Sequence, residues 1–140
     1  MKKIISTTEA PAAVGPYSQA VRVGSMLFTA GQIPLDPKSG RIVSEDIVEQ
    51  TKRVLDNLTA VLKAENLNFG HIVKTTVFLT DLGDFQKMNE VYAGFFSDQP
   101  PARSTVQVSA LPKGAKVEIE VIAVADQPAA GGQKSVDVWE

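Results

Sequence analysis

The stretch "QPPARSTVQVSALPKGAKVEIEVIAVA", residues 99–125, holds two β-favouring runs separated by "LPKG". The Pro100–Pro101 pair forces an extended entry into the first. Strand side chains alternate between faces, so Arg103, Thr105 and Gln107 share one face of the first strand, Ala102 to Ala110. Glu118 and Glu120 share a face of the second, Ala115 to Ala125. A hairpin about "LPKG" would bring all five to one side of a sheet. That side reads in two ways: the wet face of a half-exposed sheet, or the fittings of a small-molecule site. Two details favour a covered face. The first strand carries small Ser and Thr where open water tolerates Lys and Glu, and the second turns apolar at Ile122 and Val124. An arginine in such a pocket suits a carboxylate, because its planar fork donates two parallel charge-assisted hydrogen bonds.

Upstream, "KIIST" is a short β-favouring run, and "AVRVGSMLFTAG" reads as a hairpin, Ala20–Val23 and Met26–Ala30, turning at Gly24-Ser25. The Pro- and Gly-containing stretches "EAPAAVGPYSQA" and "GQIPLDPKSGR" are loops, the second with a turn at "DPKSG". From Ser44 the period changes. Ile47, Thr51, Val54, Leu55, Leu58, Val61 and Leu62 fall on one helical stripe, with Ser44 as the expected N-cap and Asn66 as the stop. "HIVKTTVFLT" reads as a strand. "DLGDFQKMNEVYAGFF" returns to helical spacing, with Asp84 as the expected cap and Phe85, Tyr92, Phe95 and Phe96 as core. The order β-β-β-α-β-α-β-β defines an α+β fold, two helices on one face of a mixed sheet. Residues 1–125 form one domain. Residues 126–140, rich in Gly, Pro and Ala, are expected to be a mobile tail, unless Trp139 docks.

Composition narrows the chemistry. The 140 residues include no cysteine and a single histidine, His71, so disulfides, thiolate nucleophiles and multi-histidine metal sites are excluded. His71 is expected at the surface. The net charge of −2 and the absence of basic blocks argue against nucleic acid as a partner. No run has membrane-spanning length or the apolar character of a signal peptide, so a soluble, cytoplasmic protein is expected. Three isolated residues complete the candidates. Tyr17 in "GPYSQ" reads as a packed aromatic or a site residue. Gly31 in "GQIP" reads as a turn or a place where backbone meets a ligand. Asn89 interrupts an apolar helix stripe.

Taken together, "APAAVGPYSQA", "GQIP", "VKTTVFLTDLGDF", "NEVYAGFF", "PARS" and "LPKGAKVEIEVIAV" resemble, in order and spacing, the Rid (YjgF/RidA) family of reactive intermediate deaminases. The resemblance runs from about Lys3 to Val124. It implies a chorismate-mutase-like fold and a homotrimer whose sheets form a central barrel, with sites in clefts between subunits. It implies hydrolysis of 2-iminobutanoate and 2-iminopropanoate to 2-oxo acids and ammonia, with no cofactor and no metal. By position it implies that Arg103 binds the substrate carboxylate, Glu118 positions water, Tyr17 lines the pocket, Gly31 faces the imine through its backbone, and Asn89 stands at the pocket side. Ala30 and Thr105 stand where many members have Ser and Cys, which rules out a thiol and removes a hydroxyl near the imine. Three other functions stay open: a non-catalytic trimer binding 2-oxo acids, an endoribonuclease or translation inhibitor, and a 2-aminomuconate deaminase.

Overall fold

The computed structural model describes residues 1–96 and 98–125, so the expected tail and Trp139 lie outside the described residues. The strands are β1 (Lys2–Ile5), β2 (Ala20–Val23), β3 (Met26–Thr29), β4 (Ile72–Leu79), β5 (Ala102–Gln107) and β6 (Val117–Val124). The helices are α1 (Ile47–Lys63) and α2 (Phe85–Phe95), and the element order is the one expected from the periodicities.

Helix α1 follows from its apolar stripe. All seven stripe residues are buried, and Gln50 and Asn57 are buried with them. Its N-cap is Asp46 rather than Ser44: the Asp46 carboxylate accepts from Glu49 N, while Ser44 Oγ accepts from Asp46 N one step earlier. Both side chains can satisfy orphan amides, and the shorter helix starts at the one nearer its first apolar residue. The chain leaves α1 through Asn66 at φ 59°, a left-handed conformation that asparagine tolerates. Asp84 precedes α2 but makes no side-chain cap; Asp81 instead closes a 3-10 turn just before it by accepting from Gly83 N.

The sheet order is β1-β2-β3-β6-β4-β5. This corrects the hairpin expected about "LPKG". Strands β5 and β6 do not pair, because β4 lies between them, parallel to β5 and antiparallel to β6. The physical reason is the β4–α2–β5 unit: a strand returning through a helix pairs in parallel with its predecessor. Both strands are also shorter than expected. Residues 108–116 form the connection, which includes a 3-10 turn at Pro112–Gly114 and Lys113 at φ 58°.

The two faces of the sheet differ sharply. Thr75, Val77 and Leu79 of β4 and Val117, Ile119, Val121 and Ala123 of β6 are buried with Leu55, Leu58, Val61 and Leu62 of α1 and Met88 and Tyr92 of α2. The other face carries no helix. There the row Ile4, Val21, Phe28, Ile122 runs in register across four strands, with Ile4 53% and Phe28 39% exposed. Among the described residues, no helix is long and apolar enough to cross a membrane.

Candidate active site

Two clusters hold the residues singled out from the sequence, and they lie on opposite sides of one sheet. Arg103 pairs with Thr75 and Thr105 with Val77, which places both on the helix side. Glu118 pairs with Phe78 and Glu120 with Thr76, which places them on the open side. The expectation that Arg103, Thr105 and Gln107 share a face with Glu118 and Glu120 is therefore corrected. It depended on the hairpin register, and inserting β4 with parallel pairing inverts it.

The Glu118 cluster forms a cleft of about 510 Å³, walled by Pro11, Ala12, Tyr17, Ala30, Gly31 and Ile33 among others. Its shape is built from buried amides. Gln19 Nε2 donates to Thr7 O and Pro11 O, holding the 7–11 wall. Asn57 Nδ2 donates to Ile33 O and Leu35 O, holding the opposite wall against α1. Beyond β3 the chain rejoins β6 through mutual backbone bonds between Gln32 and Ile119. Phe28 faces Ile122 and Gln32 faces Ile119, so the β3 side carries one residue more than β6. That bulge turns Gly31 onto the Glu118 side chain. A Cβ at Gly31 would fall on Glu118 Oε2 and lie 2.7 Å from its carboxyl carbon, so any larger residue would push the Glu118 carboxylate out of this position. Neither the N–H nor the C=O of Gly31 is bonded by the described residues. Tyr17 is 54% exposed, its hydroxyl accepting from Val14 N, so the reading of it as a packed aromatic does not hold.

The Glu118 carboxylate accepts no hydrogen bond from the described residues. Burial, and then the nearby charge of Glu120, hold its pKa above the ordinary value of 4.5. Glu120→Gln removes the second cause. If Glu118 serves as a base, the acidic limb of the activity profile should then move to lower pH, with activity at alkaline pH nearly unchanged. A kcat/KM profile against pH for both proteins checks this; an unmoved limb would show that the Glu120 charge does not reach Glu118.

The Arg103 cluster is built on α2. Arg103 Nη1 donates to Asn89 Oδ1 at 2.7 Å, and its guanidinium carbon sits 4.6 Å from the Tyr92 ring centroid and 5.4 Å from that of Phe85. Arg103 forms no ion pair with the described residues. Thr105 Oγ1, two residues along the same face, is buried without a hydrogen-bond partner. A buried hydroxyl left in that state gains nothing for the folded chain, so Thr105→Val should leave the melting temperature unchanged or raise it. If a ligand uses that hydroxyl, kcat/KM should fall only about three- to tenfold, the worth of one neutral hydrogen bond. Gln107, by contrast, is used structurally, accepting from Leu82 N. His71 stands in neither cluster; its Nδ1 accepts from Asn68 N at the start of β4.

Sequence reading assigned Phe85 and Tyr92 to the core and missed their contact with Arg103. The signal was their spacing with Asn89, at i, i+4 and i+7, which puts all three on one stripe of α2. Among the described residues, no group of His, Asp and Glu could hold a metal ion.

The described residues thus form an α+β domain with a carboxylate that accepts no hydrogen bond on one side of its sheet and an arginine with no ion pair on the other. Comparison makes this specific. A family model described as Endoribonuclease L-PSP matches residues 7–125, and the chain belongs to that family, the YjgF/Rid family. It is 58% identical over 125 residues to protein DfrA of Myxococcus xanthus, covering 88% of this chain and 95% of that one. It is 52% identical over 124 residues to a mouse protein named 2-iminobutanoate/2-iminopropanoate deaminase, covering 89% and 92%. Among solved structures, Escherichia coli TdcF with bound serine matches with a TM-score of 0.85 at 50% identity, covering 89% of this chain and 99% of that one.

Proposed function

We propose that the protein hydrolyses small 2-imino acids to 2-oxo acids and ammonia, in a site completed by a second copy of the chain. The observation that carries this reading is the pair of unmatched opposite charges, Arg103 and Glu118, on opposite faces of one sheet. Within a chain they cannot grip one small molecule. Between copies, the Arg103 edge of one can close over the Glu118 cleft of the next. The unhelixed apolar face gives the copies a reason to associate, and a homotrimer is the proposed assembly.

In that site Arg103 holds the substrate carboxylate through its free edge. The substrate binds as the protonated imine, and Glu118 takes a proton from water as the oxygen adds to C2, giving a neutral carbinolamine. Glu118 then returns its proton to the nitrogen, the C–N bond breaks, and the hydroxyl proton passes to the departing ammonia as C2 becomes the 2-oxo carbon, so ammonium leaves. A raised pKa suits Glu118 to both steps, since a base poised nearer the working pH also serves as an acid. The unused Gly31 backbone offers hydrogen bonds at the imine. A C–O bond replaces the C–N bond with no change of oxidation state, so acid–base and hydrogen-bonding groups suffice for the chemistry.

The deaminase name of the mouse relative supports this substrate class. The test is to generate iminopropanoate or iminobutanoate in place with a dehydratase and follow 2-oxo acid release with and without the protein, together with the mass in solution. Binding of 2-oxo acids with no acceleration would turn the reading to a non-catalytic binder, and a monomer at micromolar concentration would remove the shared site.

A further inference from the structure

Arg103 lies on an edge strand, where a long side chain ordinarily samples many rotamers. Here α2 supplies three partners from one stripe. Asn89 Oδ1 accepts a hydrogen bond from Nη1, the Tyr92 ring lies against the guanidinium at 4.6 Å, and the Phe85 ring flanks it at 5.4 Å. Tyr92 is itself pinned. It is 5% exposed, and its hydroxyl lies 2.7 Å from Oγ1 of Thr75, which is fully buried and sits directly beside Arg103 in the β4–β5 ladder. The loop is closed: strand β4 fixes the ring, the ring packs against the guanidinium, and the guanidinium springs from the neighbouring strand. An apolar side chain could fill the same space, but it could not offer a π face whose orientation is locked. Burial, the largest influence on the Tyr92 phenol, raises its pKa above the ordinary value of 10.0, so the ring offers Arg103 a π face and no counter-ion that would occupy its fork. Nη1 is engaged by Asn89, and no carboxylate among the described residues pairs with the guanidinium, so its charge is left for a ligand.

We propose that the aromatic pair Tyr92 and Phe85 are positioning residues that hold the Arg103 fork preset for a carboxylate, with Tyr92 the stronger member. This rests on the reading of Arg103 as the carboxylate anchor. A preset arginine lowers the ordering cost of binding, so the pair should govern affinity for the carboxylate and leave the proton transfers at Glu118 alone.

The experiment measures the Kd of 2-oxobutanoate, the KM and kcat for iminobutanoate, and the melting temperature for the wild type and four variants. Tyr92→Met fills most of the volume without a π face. It should raise Kd and KM about tenfold, the scale of a partly desolvated cation–π contact, with kcat changing less than about threefold. Tyr92→Phe keeps the ring and should stay within about threefold of wild type in Kd and KM, whatever it does to the melting temperature. Phe85→Leu should raise Kd about threefold. Wild-type Kd in Tyr92→Met, a loss confined to kcat, or failure of phenylalanine to restore binding would overturn the proposal. Should Tyr92→Met not fold, Phe85→Leu decides, and an unchanged Kd there overturns it. Arg103→Ala, run in parallel, separates the two claims. Wild-type Kd in that variant removes the carboxylate anchor and this proposal with it, whereas lost binding there beside wild-type Kd in Tyr92→Met removes the positioning role alone.

Discussion

Arg103→Ala should lower kcat/KM for a 2-imino acid by more than about a hundredfold while leaving the protein folded. The side chain forms no ion pair with the described residues and stands on an edge strand, so little of the core depends on it. Its loss removes both prongs of a charge-assisted grip, each worth roughly 1.5–3 kcal/mol. Arg103→Lys keeps the charge but donates from a single point. It also loses the guanidinium contact with the Tyr92 ring, so a loss on the order of ten- to a hundredfold is expected. The order Arg > Lys > Ala in kcat/KM, with melting temperatures within a few degrees, is the result to look for. Wild-type turnover by the alanine variant would end the assignment. Its unfolding would show that the arginine is structural.

Glu118→Gln should act on the other half of the reaction. Glutamine cannot take the water's proton, so kcat should fall about a hundred- to ten-thousandfold with KM little changed. The same variant should melt at a higher temperature than wild type near neutral pH. Burial and Glu120 raise the Glu118 pKa, so the folded chain holds that proton more tightly than the unfolded chain. Stability from this group is complete below the ordinary value of 4.5 and is lost as pH climbs through the raised folded value. Glutamine never carries the charge and escapes that loss. Thermal melts at acidic and neutral pH separate the outcomes: a stabilisation that grows with pH fits, and one independent of pH does not.

The element order was legible because period changes along a chain are local signals. The stripe from Ile47 to Leu62 and the β-branched run from Ile72 to Leu79 each declare their type without reference to the rest. Which strand neighbours which is not local. Alternation correctly divided Arg103 from Ser104 and Glu118 from Ile119, yet it could not say that β4 would come between the two strands. The β4–α2–β5 order did hold that information, since a helical crossover implies parallel pairing. The motifs led to the family, and Gly31 and Glu118 do meet, because a bulge brings them together. Tyr92 escaped notice since a buried aromatic on an apolar stripe looks the same whether it packs against leucine or against a guanidinium.

The division of Arg103 and Glu118 between two faces of a sheet has a genetic consequence. Under the proposed shared site, Arg103→Ala chains still carry a working carboxylate and Glu118→Gln chains still carry a working arginine. Each variant alone assembles only crippled sites. Mixed by unfolding and refolding together, they form some boundaries where an intact arginine meets an intact glutamate, about a quarter of all boundaries if copies assort at random. Two inactive preparations would then yield an active one. On that reading the heritable unit of function is the junction between chains, so two alleles defective in different halves would complement each other in one cell.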